Sequence, residues 1–213
     1  SPRLGVLQVP VMFNDYPEVD HVFKAIEGDI EQGFAKSGFE VLGWTELGFI
    51  YFLSKDPITS LADLKGKKVW AKANAPMSDA IIRHSKVSTV AINAPDVLMA
   101  LQTNLLEVVY NSPYYTLVTQ WNTQVKYLTD LPLSYIGGAL ILDRKMFNRI
   151  PKDLQVKLKQ VCSKHMRRLP ERTRKDNAEA LEVILKRGVK AIRPTAAQVQ
   201  EFEATSNTAI ADY

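Results

Sequence analysis

The chain has 213 residues, of which 46% are hydrophobic and 23% charged, a composition typical of a globular protein with one or two cores. The formal net charge is +4, but acidic residues are interspersed with the lysines and arginines of residues 152–193. A solvated helical face therefore explains this charge better than a nucleic-acid-binding surface does. No apolar run reaches the length of a membrane span and no signal peptide is visible, and because the chain starts with Ser-Pro we expect that a leader has been removed.

The first half of the chain predicts strands that alternate with helices. Residues 1–14 open with an apolar run that we expect to form a strand, and Asp15 starts a helix that Gly38 ends. Further along, Ser60 or Asp63 can cap a short turn. The strands expected in this half occupy residues 39–45, 49–54, 67–72 and 88–92. A helix is expected over residues 76–84.

Residues 96–121 predict a helix, a strand, a turn and a second helix. Asp96 can cap the first helix, and residues 106–110 form a short apolar run of strand type. Pro113 suits the first turn of the second helix, which we expect to extend to Trp121. Trp121 itself is expected to be a structural residue. Four residues would lie where the strand ends and the helix begins: Tyr110, Asn111, Ser112 and Tyr114. Ligands bind at this edge of open α/β sheets and near helix N-termini, although an ordinary strand-to-helix connection has the same pattern.

The second half continues with strands over residues 125–129 and 133–142, the latter containing the pair Gly137-Gly138, which suggests a bulge or a close backbone approach. A short helix is expected over 143–150. A long helix should begin at Pro151 and end at Gly188, with an interruption at Pro170. A strand over 189–192 and a last helix from residue 194 complete the chain. This alternation predicts an α/β fold with a mostly parallel sheet.

The sequence contains no persuasive catalytic or metal-binding pattern. The three histidines are scattered, and there is no phosphate loop, no dinucleotide fingerprint and no nucleophile elbow. Cys162 lies among apolar residues of the long helix and is expected to be a buried, inert thiol. We therefore expect no catalytic residues, no metal site and no cofactor. Aromatic and polar residues near strand ends, among them Glu46, Trp70 and Tyr135, could instead line a binding pocket, although core packing is the simpler explanation for any one of them.

Four segments together resemble a known family in order and spacing. They are PITSLADLKGKKV (57–69), DVLMALQT (96–103), VKYLT (125–129) and FNRIPKDLQ (147–155). They resemble the solute-binding proteins of TRAP (tripartite ATP-independent periplasmic) transporters, of the dicarboxylate-binding DctP type, over about residues 39–192. The resemblance implies a periplasmic-binding-protein-like architecture of two α/β lobes spanned by a long helix. It also implies a bacterial periplasmic protein, with its signal peptide removed, that performs no chemistry and delivers a solute to the membrane subunits of a TRAP transporter.

The departures from the family pattern bear on the ligand. The family's carboxylate-binding arginine after the DLKG turn corresponds to Trp70, and a second basic position corresponds to Ser88 or a close neighbour. Without a bidentate arginine the strongest contact to a carboxylate is lost, so we expect an organic acid that is more apolar or aromatic than a simple dicarboxylate, held by backbone N–H groups near Ser112. The expected ligand-binding residues are Trp70, Asn111, Ser112, Tyr114, Ser88, Tyr110, Glu46 and Tyr135. Of these, Asn111 is the closest match to the family.

The resemblance also predicts the division into lobes. The first lobe would comprise residues 1–66 and 143–186, the second 67–142 and 187–213, with hinge crossings near Gly66 and Leu142. Family members have a further segment before Leu4, so we expect an incomplete first lobe whose exposed sheet edge favours a homo-oligomer. Two alternatives remain: a ligand-sensing regulatory domain on the same scaffold, and an α/β enzyme that uses a cleft carboxylate such as Glu46 or Glu107.

Overall fold

The computed structural model describes residues 2–71 and 87–211, and the helix expected over residues 76–84 lies outside them. The strands are β1 (Phe39–Ser54), β2 (Val69–Ala71), β3 (Thr89–Ala91), β4 (Val108–Asn111), β5 (Tyr127–Thr129), β6 (Ser134–Asp143) and β7 (Lys190–Ile192). The α-helices are α1 (Tyr16–Lys36), α2 (Val97–Gln102), α3 (Pro113–Val118), α4 (Arg144–Asn148), α5 (Lys152–Met166), α6 (Leu169–Lys186) and α7 (Ala196–Ala211). Short 3₁₀ helices occupy Pro2–Gln8, Ala62–Leu64, Ala94–Asp96 and Trp121–Thr123.

Strand β1 organises the fold because it belongs to two sheets. Its residues 39–50 pair antiparallel with β6. Its residues 51–54 pair antiparallel with β4 on one edge, and residues 53 and 54 pair antiparallel with β5 on the other. The two strands expected over 39–45 and 49–54 are therefore one strand. Register shifts between Val41 and Gly43 and between Glu46 and Gly48 bend it, and Gly48 has a φ of 89° that suits glycine.

The sheet that contains β4 is mixed. Its strands follow the order β3-β2-β4-β1-β5-β7, in which β2 runs parallel to β3 and β4, and β5 runs parallel to β7. Strand β1 enters from the other sheet and runs against both of its neighbours. The α/β class is confirmed, and so is the expectation of a mostly parallel sheet, since five of these six strands run in one direction and β1 alone runs against them. Because β1 contributes to both sheets, the division into lobes stays a prediction.

Local sequence signals explain most helix boundaries. Asp15 accepts a hydrogen bond from the Glu18 N–H and begins α1, and Gly38 follows its end with a φ of 84°. Ser60 and Asp63 cap the DLKG turn reciprocally, as the Asp63 carboxylate accepts from the Ser60 N–H at 2.9 Å and the Ser60 hydroxyl from the Asp63 N–H at 3.4 Å. Asp96 makes no such bond, so its predicted capping role is wrong.

Three other expectations about elements need correction. The apolar start of the chain is a 3₁₀ helix, not a strand. The interruption of the long helix near Pro170 is confirmed, because this helix divides into α5 and α6, and Pro170 lies in the first turn of α6, where a missing N–H is tolerated. Trp121 lies beyond α3, because Gln120 adopts a left-handed conformation that ends the helix. Cys162 is a free thiol that is half-buried on α5, not fully buried.

The glycine pair in β6 does permit a close approach. A Cβ atom on Gly138 would lie 2.7 Å from the hydroxyl of Thr45 on β1. None of the helices that the structure describes combines the length and hydropathy needed to cross a bilayer.

Candidate ligand-binding site

The predicted residues 110–114 lie beside residues 50 and 51 of β1, where this strand passes from one sheet to the other; we call this point the crossing. Strands β2, β3 and β4 are parallel, so their carboxyl ends meet at one edge of the sheet. At that edge Asn111 pairs with Tyr51 of β1, the first residue of β1 that belongs to this sheet. Directly opposite residues of an antiparallel pair project side by side. The crossing therefore places the Asn111 and Tyr51 side chains together at the edge where open α/β sheets bind ligands.

Trp70 lies inside the core beneath this edge. It is 3% exposed, and its ring packs 5.3 Å from Tyr110 and edge-on 5.2 Å from Trp121. Its indole N–H donates to the Ile92 carbonyl at 3.0 Å, so this hydrogen is not free for a ligand in this conformation. The half-buried Tyr110 covers it. Trp121 is fully buried, in agreement with its predicted structural role.

The backbone N–H groups at the start of α3 already have partners. The Ser112 N–H donates to the Asn111 side-chain oxygen at 2.9 Å, and the Tyr115 N–H donates to the Ser112 hydroxyl at 3.4 Å. The Tyr114 N–H donates to the Asn177 side-chain oxygen at 3.0 Å. The expectation that a ligand carboxylate is held by these N–H groups is therefore wrong for this conformation. The Asn111 amide nitrogen, by contrast, donates to none of the residues that the structure describes.

Glu46 and Tyr135 meet on the other side of the crossing, together with an arginine. Arg174 donates to the two Glu46 oxygens at 2.8 and 2.9 Å and to the two Asp20 oxygens at 2.7 and 2.8 Å. The Tyr135 hydroxyl donates to Glu46 at 2.6 Å, and the guanidinium lies 4.3 Å from the centre of the Tyr16 ring. The Glu46 side chain is only 2% exposed, so this is a buried charge with three close hydrogen bonds.

These groups line a cavity of about 410 Å³ between α1, β1, β6 and α6. Its apolar walls come from Leu7, Val19, Phe23 and Trp44, and its charged groups are Asp20, Glu46, Arg167, Glu171 and Arg174. Burial raises the pKa of the Tyr135 hydroxyl above its ordinary value, and the bond to Glu46 adds to this effect. The hydrogen bond to Asp20 raises the pKa of Arg174. Tyr135 therefore stays protonated and donates, while the Arg174 charge is already matched by two carboxylates.

Helix α6 connects the two groups of residues. Asn177, one helical turn after Arg174, donates to the Leu47 carbonyl at 3.0 Å and accepts from the Tyr114 N–H at 3.0 Å. Sequence reasoning missed both α6 residues, because their partners are distant in the chain. One signal was available, since asparagine is unfavourable inside a helix unless its side chain has a partner.

Ser88 and Tyr114 are placed differently from the other predicted residues. Ser88 is exposed and precedes β3, at the edge opposite Asn111, which is about 13 Å away along the strand direction. The Ser88 carbonyl accepts a hydrogen bond from the Val69 N–H at 3.1 Å. Tyr114 is 46% exposed at the start of α3. The structure thus brings Asn111, Tyr110 and Tyr114 to the crossing and leaves Ser88 apart.

A long strand shared by two sheets, with polar and aromatic residues at the crossing, is the organisation of a two-lobe α/β solute-binding protein. All 213 residues match the family described as bacterial extracellular solute-binding protein, family 7 (DctP), and the chain belongs to this family. The prediction drawn from the four sequence segments is confirmed for the family and the fold.

Solved structures agree with this fold. The chain is similar to DctP7, a Bordetella pertussis extracytoplasmic solute receptor binding pyroglutamic acid, with a TM-score of 0.90 and 20% identity, over 100% of this chain and 70% of that one. It is also similar to a TRAP periplasmic solute-binding protein of Haemophilus influenzae with bound L-gulonate, with a TM-score of 0.89 and 21% identity over the same shares. At this identity the likeness concerns the fold.

Curated relatives are similar in sequence over part of their length. A solute-binding protein of Sulfitobacter sp. is 25% identical over 160 residues, which are 73% of this chain and 47% of that protein. The C4-dicarboxylate-binding periplasmic protein DctP of Rhodobacter capsulatus is 21% identical over 180 residues, 84% of this chain and 54% of that protein. The chain spans about half the length of these relatives.

Proposed function

We propose that this chain is an extracytoplasmic solute-binding protein that captures a small organic acid in the periplasm and delivers it to a TRAP-type membrane transporter, without chemical conversion. Its family membership supports this proposal, as do similar structures that hold pyroglutamic acid and L-gulonate. The observation that carries it is the meeting of Asn111 and Tyr51 at the crossing between the two sheets.

The ligand's carboxylate would be held by neutral donors. Arg174 is matched by Asp20 and Glu46, so it offers little net charge to an anion. Burial raises the pKa of Tyr51 to about 12, so its hydroxyl is protonated and able to donate at neutral pH. Together with the Asn111 amide it makes a pair of neutral donors at the crossing. Such a site favours an acid with an apolar or aromatic body.

The remaining predicted residues take different parts in this proposal. Tyr114 and Ser112 position the start of α3, Trp70 supports Tyr110 from below, and Glu46 with Tyr135 holds β1 against α6. Ser88 is too far from Asn111 to share one small ligand with it.

The first experiment is native mass spectrometry of the purified protein, followed by a thermal-shift panel of organic acids. Release of an unmodified acid, or a rise in melting temperature with one, is expected. A wild-type protein that neither carries nor responds to any acid would refute the binding function. Chemical conversion of the bound compound would favour the enzyme alternative.

The site is tested separately with Tyr51→Phe, which removes one hydroxyl and keeps the ring. A hydrogen bond to a charged group contributes about 1.5–3 kcal/mol, so the affinity for the acid should fall about 10- to 100-fold. The matched control is Tyr127→Phe on β5, away from the crossing, which should bind normally. If the wild type binds an acid and Tyr51→Phe binds it equally well, the proposed position of the carboxylate is wrong.

We also infer that the protein self-associates through the outer end of β6. Residues 139–143 of β6 pair on one side with β1 and with no other strand that the structure describes, and Leu140 and Ile141 are exposed. Light scattering should then report a mass above that of a monomer, and a monomer at all concentrations would contradict this inference.

A further inference from the structure

The outer face of α5 carries a stripe of cations. The helix spans 15 residues, and its inner face packs on β1, where Gln155 is buried and Met166 lies against Gly43. On the opposite face lie Lys157 and Lys164, followed by Arg168 in the turn after the helix, at intervals of seven and four residues, which places them in one row. All three side chains are exposed. The row therefore faces away from the protein.

This segment holds an unusual share of the positive charge. Residues 152–168 contain six lysines and arginines and a single acidic residue, Asp153, whereas the whole chain has a formal net charge of only +4. The expectation from the sequence, a solvated face with interspersed acidic residues, describes residues 169–193 but not this segment. The excess of positive charge is thus concentrated on α5 and the turn after it.

The two neighbouring helices differ in how their charges are paired. On α6, oppositely charged residues four apart form ion pairs: Arg172 with Asp176, Lys175 with Glu179 and Lys186 with Glu182, at 2.8, 3.7 and 3.4 Å. On the outer row of α5, no cation pairs with a carboxylate among the residues that the structure describes. Like charges four apart, such as Lys164 and Arg168, weaken a helix. The helix dipole compensates cations in the last turn of α5, but not Lys157 in its middle.

Two cations of this row, Lys164 and Arg168, border a shallow groove suited to anions. The groove has a volume of about 590 Å³ and is lined by Lys159, Gln160, Ser163, Lys164, Arg167 and Arg168. Each of these side chains carries hydrogen-bond donors, and none is a carboxylate. Val156 and Val161 flank the row with 56% and 55% of their surface exposed. A cationic helical face with small apolar flanks matches the interface of an anionic lipid surface, where headgroup phosphates meet the acyl boundary.

We propose that the outer face of α5 docks the protein on anionic phospholipid headgroups. The occupant is argued from charge complementarity: a row of unpaired cations about 17 Å long, on the protein surface, meets a plane of phosphates. Such docking would concentrate a solute-binding protein at the membrane that contains its transporter. The proposal does not depend on the solute site, because no residue of the crossing belongs to this face.

The test is co-sedimentation with vesicles of phosphatidylglycerol and phosphatidylcholine, against vesicles of phosphatidylcholine alone. Binding is expected only to the anionic vesicles, with release when salt is raised from about 0.05 to about 0.5 M. The triple variant Lys157→Gln, Lys164→Gln, Arg168→Gln should lose about 100-fold in affinity, since each cation near an anionic surface contributes about fivefold. The control triple Arg172→Gln, Lys175→Gln, Lys186→Gln removes the same charge from α6 and should retain most of the binding.

Several results would overturn the proposal. One is equal binding to both vesicle types, and another is an equal loss of binding in the two triple variants, which would indicate net charge alone. Displacement from the vesicles by millimolar inorganic phosphate would indicate a free-anion site, and tighter binding to an oligonucleotide would indicate a nucleic-acid surface. Because α5 could be weakened by substitution, the melting temperature of each variant is compared with the wild type, and the outer-row triple should melt no lower.

Discussion

Replacing Arg174 by alanine is expected to destabilise the fold strongly, because it strips a buried carboxylate of its main partner. The Glu46 side chain is 2% exposed and receives two of its three close hydrogen bonds from Arg174. The third comes from the Tyr135 hydroxyl at 2.6 Å and remains in the variant. The Asp20 carboxylate, 56% exposed, can return to water and loses little.

The size of this destabilisation follows from the burial of the Glu46 carboxylate. Breaking one partner of a buried ion pair costs about 3–5 kcal/mol, and we expect the lower part of that range, about 3–4 kcal/mol, because Tyr135 still donates to Glu46. For a domain of this size each kcal/mol shifts the melting temperature by about 2–4 °C, so a fall of about 6–16 °C should follow. Part of the loss comes from the packing of the guanidinium on the Tyr16 ring.

Urea unfolding and thermal melting measure the effect, with Arg172→Ala as the control on the same helix. Arg172 is 73% exposed and pairs with Asp176 one turn away, so its loss should cost no more than about 0.5 kcal/mol. A double-mutant cycle with Glu46→Gln should give a coupling of about 1–3 kcal/mol. If Arg174→Ala is no less stable than Arg172→Ala, the buried pair does not hold β1 against α6 and the reasoning fails.

Four further variants test local features. Asp63→Ala removes the cap of the DLKG turn and should lower the free energy of unfolding by about 1 kcal/mol. The hydrogen bond from the Thr59 N–H lowers the pKa of Asp63 in the folded protein. In urea titrations the loss of stability relative to wild type should therefore be full above pH 3.8 and shrink as the pH falls through the lower folded pKa. Gly48→Ala should lower the melting temperature, because Gly48 has a φ of 89° and the added Cβ would lie 2.8 Å from the Tyr16 hydroxyl. Gly28→Ala is the contrasting variant: it lies inside α1 with open space around it and should raise stability by about 0.5–1 kcal/mol. Trp70→Ala should cost about 3–5 kcal/mol, since the residue is 3% exposed, and calorimetry showing an unchanged transition would contradict its place in the core.

Short-range signals in the sequence predicted the elements well because their causes are local. Asp15 and Gly38 delimit α1 through backbone conformation and one capping bond, which depend on a few neighbouring residues. Strand direction, by contrast, is not determined by neighbouring residues. Residues 51–54 have the same apolar pattern in a parallel or an antiparallel sheet, so only the path of β1 between two sheets decides their direction.

The candidate site was half predictable for the same reason. Asn111 and Tyr110 could be placed at a strand end from their own neighbours. The partner of Glu46 could not, because Arg174 lies 128 residues away in sequence and nothing in its surroundings distinguishes it from the paired surface cations of α6. The free N–H groups expected near Ser112 were lost to Asn111 and Asn177, whose orientations only the folded structure fixes.

The solute site and the outer face of α5 should differ in their sensitivity to salt. At the crossing the nearby cation is matched by two carboxylates, so a ligand carboxylate would be held by short-range bonds from Asn111 and Tyr51, which screening hardly affects. On α5 the cations are unpaired and would attract an anionic plane over distances comparable to the Debye length. Titrations of the solute at about 0.05 and 0.5 M salt should therefore give nearly the same Kd, while vesicle binding collapses over that range. A solute affinity that falls as steeply as vesicle binding would mean that a free cation lines the solute site, and the assignment of neutral donors would then be wrong.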